Sequence, residues 1–126
     1  VTVMLGFALG CAQNKKEQKE TQSVKEHEKG VHLAGKGDFD EAIVHLSEVI
    51  RLNPDYAKGF YNRGIAHGNR RDLEKAIADL DEAIRLNPDF ALAYYNRSKV
   101  HKITGDLNRA KADLKRAKEL DPNIGD

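Results

Sequence analysis

The sequence contains no tryptophan, one methionine, one cysteine and three prolines in 126 residues. A lone cysteine, Cys11, excludes an intrachain disulfide and any metal site built from several cysteines. Neither sign of charge dominates, because 21 basic residues face 20 acidic ones. No global field therefore draws the chain to nucleic acid or to an anionic surface. A glycine-rich phosphate loop is absent, as are the Ser-x-x-Lys and Gly-x-Ser-x-Gly nucleophile patterns. The nearly continuous apolar stretch at the start, VTVMLGFALG, has ten residues. As a helix it is too short to cross a hydrocarbon layer ~30 Å thick. The prolines, at 54, 88 and 122, fall 34 residues apart.

That spacing is a repeat. Residues 52–64, LNPDYAKGFYNRG, return as LNPDFALAYYNRS at 86–98. Aligning 52–85 with 86–119 gives 16 identities in 34 positions, and a fixed period of this size marks stacked units. Within LEKAIADLDEAIRL at 73–86, apolar residues at 73, 76, 77, 80, 83 and 84 trace one face of a 3.6-residue period. A shorter apolar face, with Phe60, Tyr61 and Ile65, precedes it. The turns GKGD, NRRD and ITGD end in Asp38, Asp72 and Asp106, placed to cap the helices that follow. Glu41, three residues after Asp38, completes a capping box on paper. Each unit thus reads as helix, tight turn, helix and a proline stop. From about residue 24 the pattern is helical, whereas 12–23 lacks any apolar pattern and is expected to be a disordered polar tether.

This unit resembles the tetratricopeptide repeat. Repeats at 24–56, 57–90 and 91–122, with a tail at 123–126, carry that family's skeleton. Its first-helix glycine is Gly30, Gly64 and Ser98, and its alanines are Ala42, Ala76, Ala110 and then Val49, Ala83, Ala117. The early aromatic is Phe60 and Tyr94 but Glu26 in the first unit. The tyrosine seven residues later is replaced by Leu33, His67 and His101. The resemblance implies an all-α, right-handed superhelical stack of three antiparallel helix pairs, an α-solenoid. In the third unit, Lys111, Lys115 and Lys118 stand where Ile43 and Ile77, Ser47 and Asp81, and Ile50 and Ile84 stand earlier. A polar outer face of this kind is expected of a terminal repeat.

The N-terminal segment resembles a bacterial lipoprotein signal, in which an apolar run ends at an invariant cysteine. Cys11, after Ala8-Leu9-Gly10, would be the lipidated residue, with residues 1–11 as the signal-like segment. Leucine is preferred three before the cysteine in that family, and Ala8 stands there, with Leu9 one place late. The implied location is the bacterial cell envelope, with the membrane engaged only through the lipid; without the lipid the expected location is the cytoplasm.

Catalysis finds no support. HEKGVH at 27–32 resembles the H-E-x-x-H zinc motif but is one residue too long. Positions i and i+5 lie about 140° apart on a helix, so His27 and His32 cannot share a metal. His67 and His101 occupy equivalent positions a helix spacing of about 8–10 Å apart, too far for a shared zinc. No cofactor and no metal is expected.

What remains is binding, and the family resemblance places it on the concave face lined by first helices. Carried over by position, the groove would comprise Val24, His27, Glu28 and Val31 from the first unit. The second supplies Lys58, Tyr61, Asn62, Ile65 and Asn69, and the third Leu92, Tyr95, Asn96, Lys99 and Ile103. Tyrosines offer stiff contact area, and asparagines can satisfy both groups of a peptide unit. A family subclass clamps a terminal carboxylate at positions held here by His27, Val31, Leu92, Asn96 and Asn62, of which only Asn62 agrees. Binding of chaperone C-termini is therefore not expected. Arg63 and Arg97, one residue along, are expected to pair within the stack. The basic face of Lys111, Lys115 and Lys118 is a second candidate surface, although sparse lysines without interleaved aromatics make a poor nucleic-acid signature. The reading is a monomeric, non-catalytic scaffold holding an unidentified protein or peptide. Its alternative is a structural or oligomerisation module that works through terminal or convex faces and leaves the groove idle.

Overall fold

A computed structural model describes residues 2–125, with side chains described from Ala8 onward. Val1, Asp126 and the side chains of 2–7, parts of the expected signal segment and tail, lie outside the described residues. Six helices follow in order: α1 Thr2–Lys36, α2 Phe39–Leu52, α3 Ala57–Asn69, α4 Leu73–Leu86, α5 Ala91–Thr104 and α6 Leu107–Leu120. They pack as pairs α1/α2, α3/α4 and α5/α6, and the pairs join through α2/α3 and α4/α5. Helix α3 also touches α1 and α5, whereas α2, α4 and α6 make no contact with one another among the described residues. First helices thus close ranks on the inside while second helices splay outside, and the stack is concave on the α1–α3–α5 side.

Small side chains make the pairs close. Ala42, Leu46 and Val49 in α2, and Ala76, Leu80 and Ala83 in α4, are fully buried. A Cβ at Gly30 would lie 2.7 Å from Leu46 Cγ, and at Gly64 3.2 Å from Leu80 Cγ. At Gly30 a methyl would collide with Leu46, and at Gly64 the neighbours would have to give by a few tenths of an ångström, which is the physical content of the repeat glycine.

Two expectations are corrected. Residues 12–23 are helical, and α1 runs on ahead of the first repeat. Lys, Glu, Gln and Ala dominate this stretch, all strong helix formers. Local pairs add to that, including Gln22 donating to Glu26 and Lys16 beside Glu20 at 4.0 Å. Lack of an apolar stripe removes tertiary docking, not helicity, and all side chains from 12 to 22 are exposed. The second correction concerns the caps. Asp38, Asp72 and Asp106 occupy the N-cap positions, yet only Asp106 accepts a side-chain cap bond, from the Arg109 N–H at 3.1 Å. The Asp72 carboxylate faces the Arg70 guanidinium instead, at 3.5 Å, and the box of Asp38 with Glu41 does not form at Asp38. The turn residue preceding each cap is left-handed, at Gly37, Arg71 and Gly105.

Candidate functional site

The inner wall is laced by asparagines. Asn62 on α3 reaches back one repeat, its Nδ2 lying 2.8 Å from His27 Nε2 on α1. Asn96 on α5 repeats the reach, its Nδ2 donating to the Tyr61 hydroxyl at 3.0 Å and to the Leu92 carbonyl at 2.9 Å. His27, Tyr61 and Tyr95 share one repeat position and Asn62 and Asn96 another, so these bonds are rungs of one ladder. Tyr61 also stacks on Phe90, centroids 4.8 Å apart, and burial raises its phenol pKa. The pKa of His27 is lowered, first by burial and then by the Lys58 ammonium, with Glu28 opposing. A neutral imidazole accepting from Asn62 is the form this setting favours.

The predicted groove residues fall into three groups. Tyr61, Asn62, Asn96 and His27 are half-buried and committed to the ladder. Ile65 packs against the core around Leu80 and Val100, so it supports the wall more than it faces solvent. Lys58, Asn69 and Lys99 are exposed, and Lys99 Nζ sits 4.3 Å over the Tyr95 ring. Between them Val24, Val31, Leu92 and Ile103 remain 57, 43, 47 and 54% exposed. These are four of the seven large apolar side chains left in solvent among the described residues. Apolar area withheld from the core on one wall marks a surface available for contact.

Behind the wall lie Arg63 and Arg97, paired as expected. Arg63 grips Asp79 through two bonds of 2.8 Å and donates to Ser47 Oγ at 3.1 Å. Arg97 grips Asp113 at 2.8 and 2.7 Å and reaches Asp81 at 2.7 Å. Each arginine therefore ties its own second helix to the second helix of the preceding repeat. Both guanidinium pKa values are raised, chiefly by the hydrogen bond to Asp79 or Asp113. His67 and His101 are buried beneath these pairs, each with Nε2 3.8 or 3.7 Å from the same carboxylate. Burial lowers the His67 pKa. No three metal-ligating side chains converge among the described residues.

Two features had no expectation attached. A cavity of about 510 Å³ opens where α1 overhangs the α2–α3 corner, bounded by Lys19, Ser23, Val24, His27, Leu52 and Tyr56. It continues the groove through Val24 and His27, and the His27 and Tyr56 rings meet edge to face at 5.4 Å. A wall supplied by residues 16–23 is invisible while that stretch is taken as disordered. The second feature is the tail, where Ile124 is 5% exposed and Gly125, at φ 83°, turns against the Tyr95 ring. The basic trio Lys111, Lys115 and Lys118 is exposed.

The comparisons agree with this architecture. Tetratricopeptide repeats match at residues 57–90 and 91–124, and a TPR repeat at 33–69. The comparison with curated proteins found no match. Among solved structures, the first TPR of Spaghetti (RPAP3), bound to the HSP90 peptide SRMEEVD, is 28% identical with a TM-score of 0.81, over 83% of each chain. The second TPR domain of human RPAP3, in complex with the HSP70 peptide SGPTIEEVD, is 25% identical with a TM-score of 0.80, over 85% of this chain and 89% of that one. The TPR2B domain of yeast Sti1, in a pHsp70 complex, is 25% identical with a TM-score of 0.79, over 82 and 83%. A glycine–alanine–proline skeleton, three stacked helix pairs and these matches together show that the chain belongs to the tetratricopeptide repeat family and is a protein-interaction scaffold.

Proposed function

We propose that the chain binds an extended segment of a partner protein along its inner wall and is held at a bacterial envelope membrane through lipid on Cys11. The observation that carries the first part is the row Val24, Val31, Leu92 and Ile103, apolar and exposed on a wall whose other exposed side chains are polar. Similar folds solved with peptides support the same class of ligand. The chaperone C-terminus is not the proposed ligand. The positions that would clamp a terminal carboxylate hold a histidine biased to neutrality, His27, and the apolar Val31 and Leu92. Desolvating a carboxylate there without a cation is unfavourable.

The tether reading rests on Cys11, which is exposed, and on the helix that follows it. Ser23, which is buried, lies twelve helical steps beyond Cys11, a stalk of about 18 Å at 1.5 Å per residue. Such a stalk would hold the groove clear of headgroups. Two experiments test the two parts. Photo-crosslinking capture from an envelope extract should yield a partner with wild type and lose it with Val31→Asp/Leu92→Asp, whose exposed sites tolerate charge. A partner held equally by both would transfer the function to the terminal or convex faces. Labelled fatty acid should enter the wild type and not Cys11→Ser, and unchanged labelling would end the anchor reading.

A further inference from the structure

The third repeat holds five lysines, against three in the first and two in the second. Arginines in this protein are structural, and among the described residues all but Arg71 have a carboxylate within 4.0 Å. Lysines are the reverse, and none in α5 or α6 has a carboxylate partner within that distance among the described residues. Three of them, Lys99, Lys102 and Lys118, line a cavity of about 220 Å³ between α5, α6 and the residues after α6. Its remaining wall is Tyr95, Ser98, Leu114, Ile124 and Gly125, with no carboxylate among the described residues. Tyr95 and Lys99 are also inner-wall residues, so the cavity adjoins the groove in the third repeat. Lys99 is poised there by the Tyr95 ring, 4.3 Å below its ammonium.

We propose that this cavity is an acid-accepting subsite, which takes an aspartate or glutamate side chain of the peptide lying in the groove. The proposal rests on the groove reading and adds a direction to it. Apolar contacts run along Val24, Val31, Leu92 and Ile103, and the acidic residue lies at the third-repeat end. An apolar floor of Leu114 and Ile124 suits the methylene stem of such a side chain, and ammonium groups at the rim suit its carboxylate. At the opposite end Lys16 and Lys19 are balanced by Glu20 and Glu28, so no excess of cations favours an acid there.

The test uses the full chain and a random dodecapeptide library displayed on phage, in which peptides have no free C-terminus. Wild type is expected to select peptides enriched in Asp or Glu at one end of an apolar core. Enrichment should vanish with Lys99→Ala/Lys102→Ala and survive Lys111→Ala/Lys115→Ala, which removes equal charge from the same helix pair outside the cavity. In a synthetic copy of a selected peptide, Glu→Gln should weaken binding about tenfold to wild type and leave the Lys99→Ala/Lys102→Ala affinity unchanged. Selected peptides without acid enrichment would overturn the subsite and leave the groove standing. Enrichment lost equally in both double variants would also overturn it, in favour of a diffuse basic surface. Selection of no peptide at all would overturn the groove reading itself.

Discussion

The first and third repeats share a backbone plan and differ in nearly everything that faces water. Residues 24–56 hold four Lys/Arg against seven Asp/Glu, and 91–126 hold eight against five. At the position where the third repeat has Arg97 in a two-bond grip on Asp113, the first has the exposed Lys29, and its half-buried link is Glu26 to His45 Nδ1 at 2.6 Å. Position for position, the packed sides stay buried and small: Ala42 with Ala110, Val49 with Ala117, Gly30 with Ser98. Packing confines these positions to a narrow range of volumes; solvent imposes no such limit, so charge was free to diverge. The chain is therefore electrically polarised from end to end although its total is +1.

Breaking the arginine link should have the largest effect. Asp113→Ala leaves Arg97 only the exposed Asp81, beside a buried histidine, and is expected to cost about 3 kcal/mol in urea unfolding. Glu26→Ala in the first repeat is expected to cost about 1 kcal/mol, because that pair is more open to water. Equal losses would show that the two links are energetically alike despite their geometry. Next is the crossing: Gly30→Ala drives a methyl into Leu46 and should cost about 2 kcal/mol, whereas Ser98→Ala at the same repeat position should stay within about 1 kcal/mol.

The rungs of the ladder come third. Asn62→Ala and Asn96→Ala should each remove about 1 kcal/mol. The His27 rung should in addition be pH-dependent. A histidine whose folded pKa lies below the ordinary 6.5 takes up protons more readily once unfolded, and His27 and His67 both do. Stability from that source is complete above 6.5 and is lost as pH falls below it towards the folded values. Tm should therefore drop between pH 7.5 and 5.5, and His27→Gln, which keeps an acceptor for Asn62, should shrink the drop. An unaltered drop would assign the sensitivity to His67. Smallest is the turn between α3 and α4, where Arg71 has φ 69° while its counterparts Gly37 and Gly105 are glycines. Arg71→Gly should gain about 0.5 kcal/mol, since relief of left-handed strain is partly offset by glycine's freedom when unfolded.

How far the residues alone carried the reading varies by element. The 34-residue period, the proline stops and the alanine–glycine crossings are local or strictly periodic, and each appears where the pattern puts it. Arg63 and Arg97 were assigned to the stack from their place on the helix, and both are there. The stalk was missed because helicity was inferred from an apolar stripe, and residues 12–22 need none. The cap bonds expected at Asp38 and Asp72 do not form, and at Asp72 the carboxylate faces the Arg70 guanidinium instead.

By itself, then, the sequence determined the helical period, the number of repeats in this chain and which residues must be small. Those follow from spacing along one dimension and from steric limits that act at every repeat alike. Tertiary structure alone decided that Asn62 and Asn96 are spent on rungs across 35 residues, that Ile65 turns towards the core, and that Ile124 folds back beneath three lysines. Hydrogen bonds and burial depend on which groups superhelical stacking brings within about 3 Å, and no single repeat contains that information.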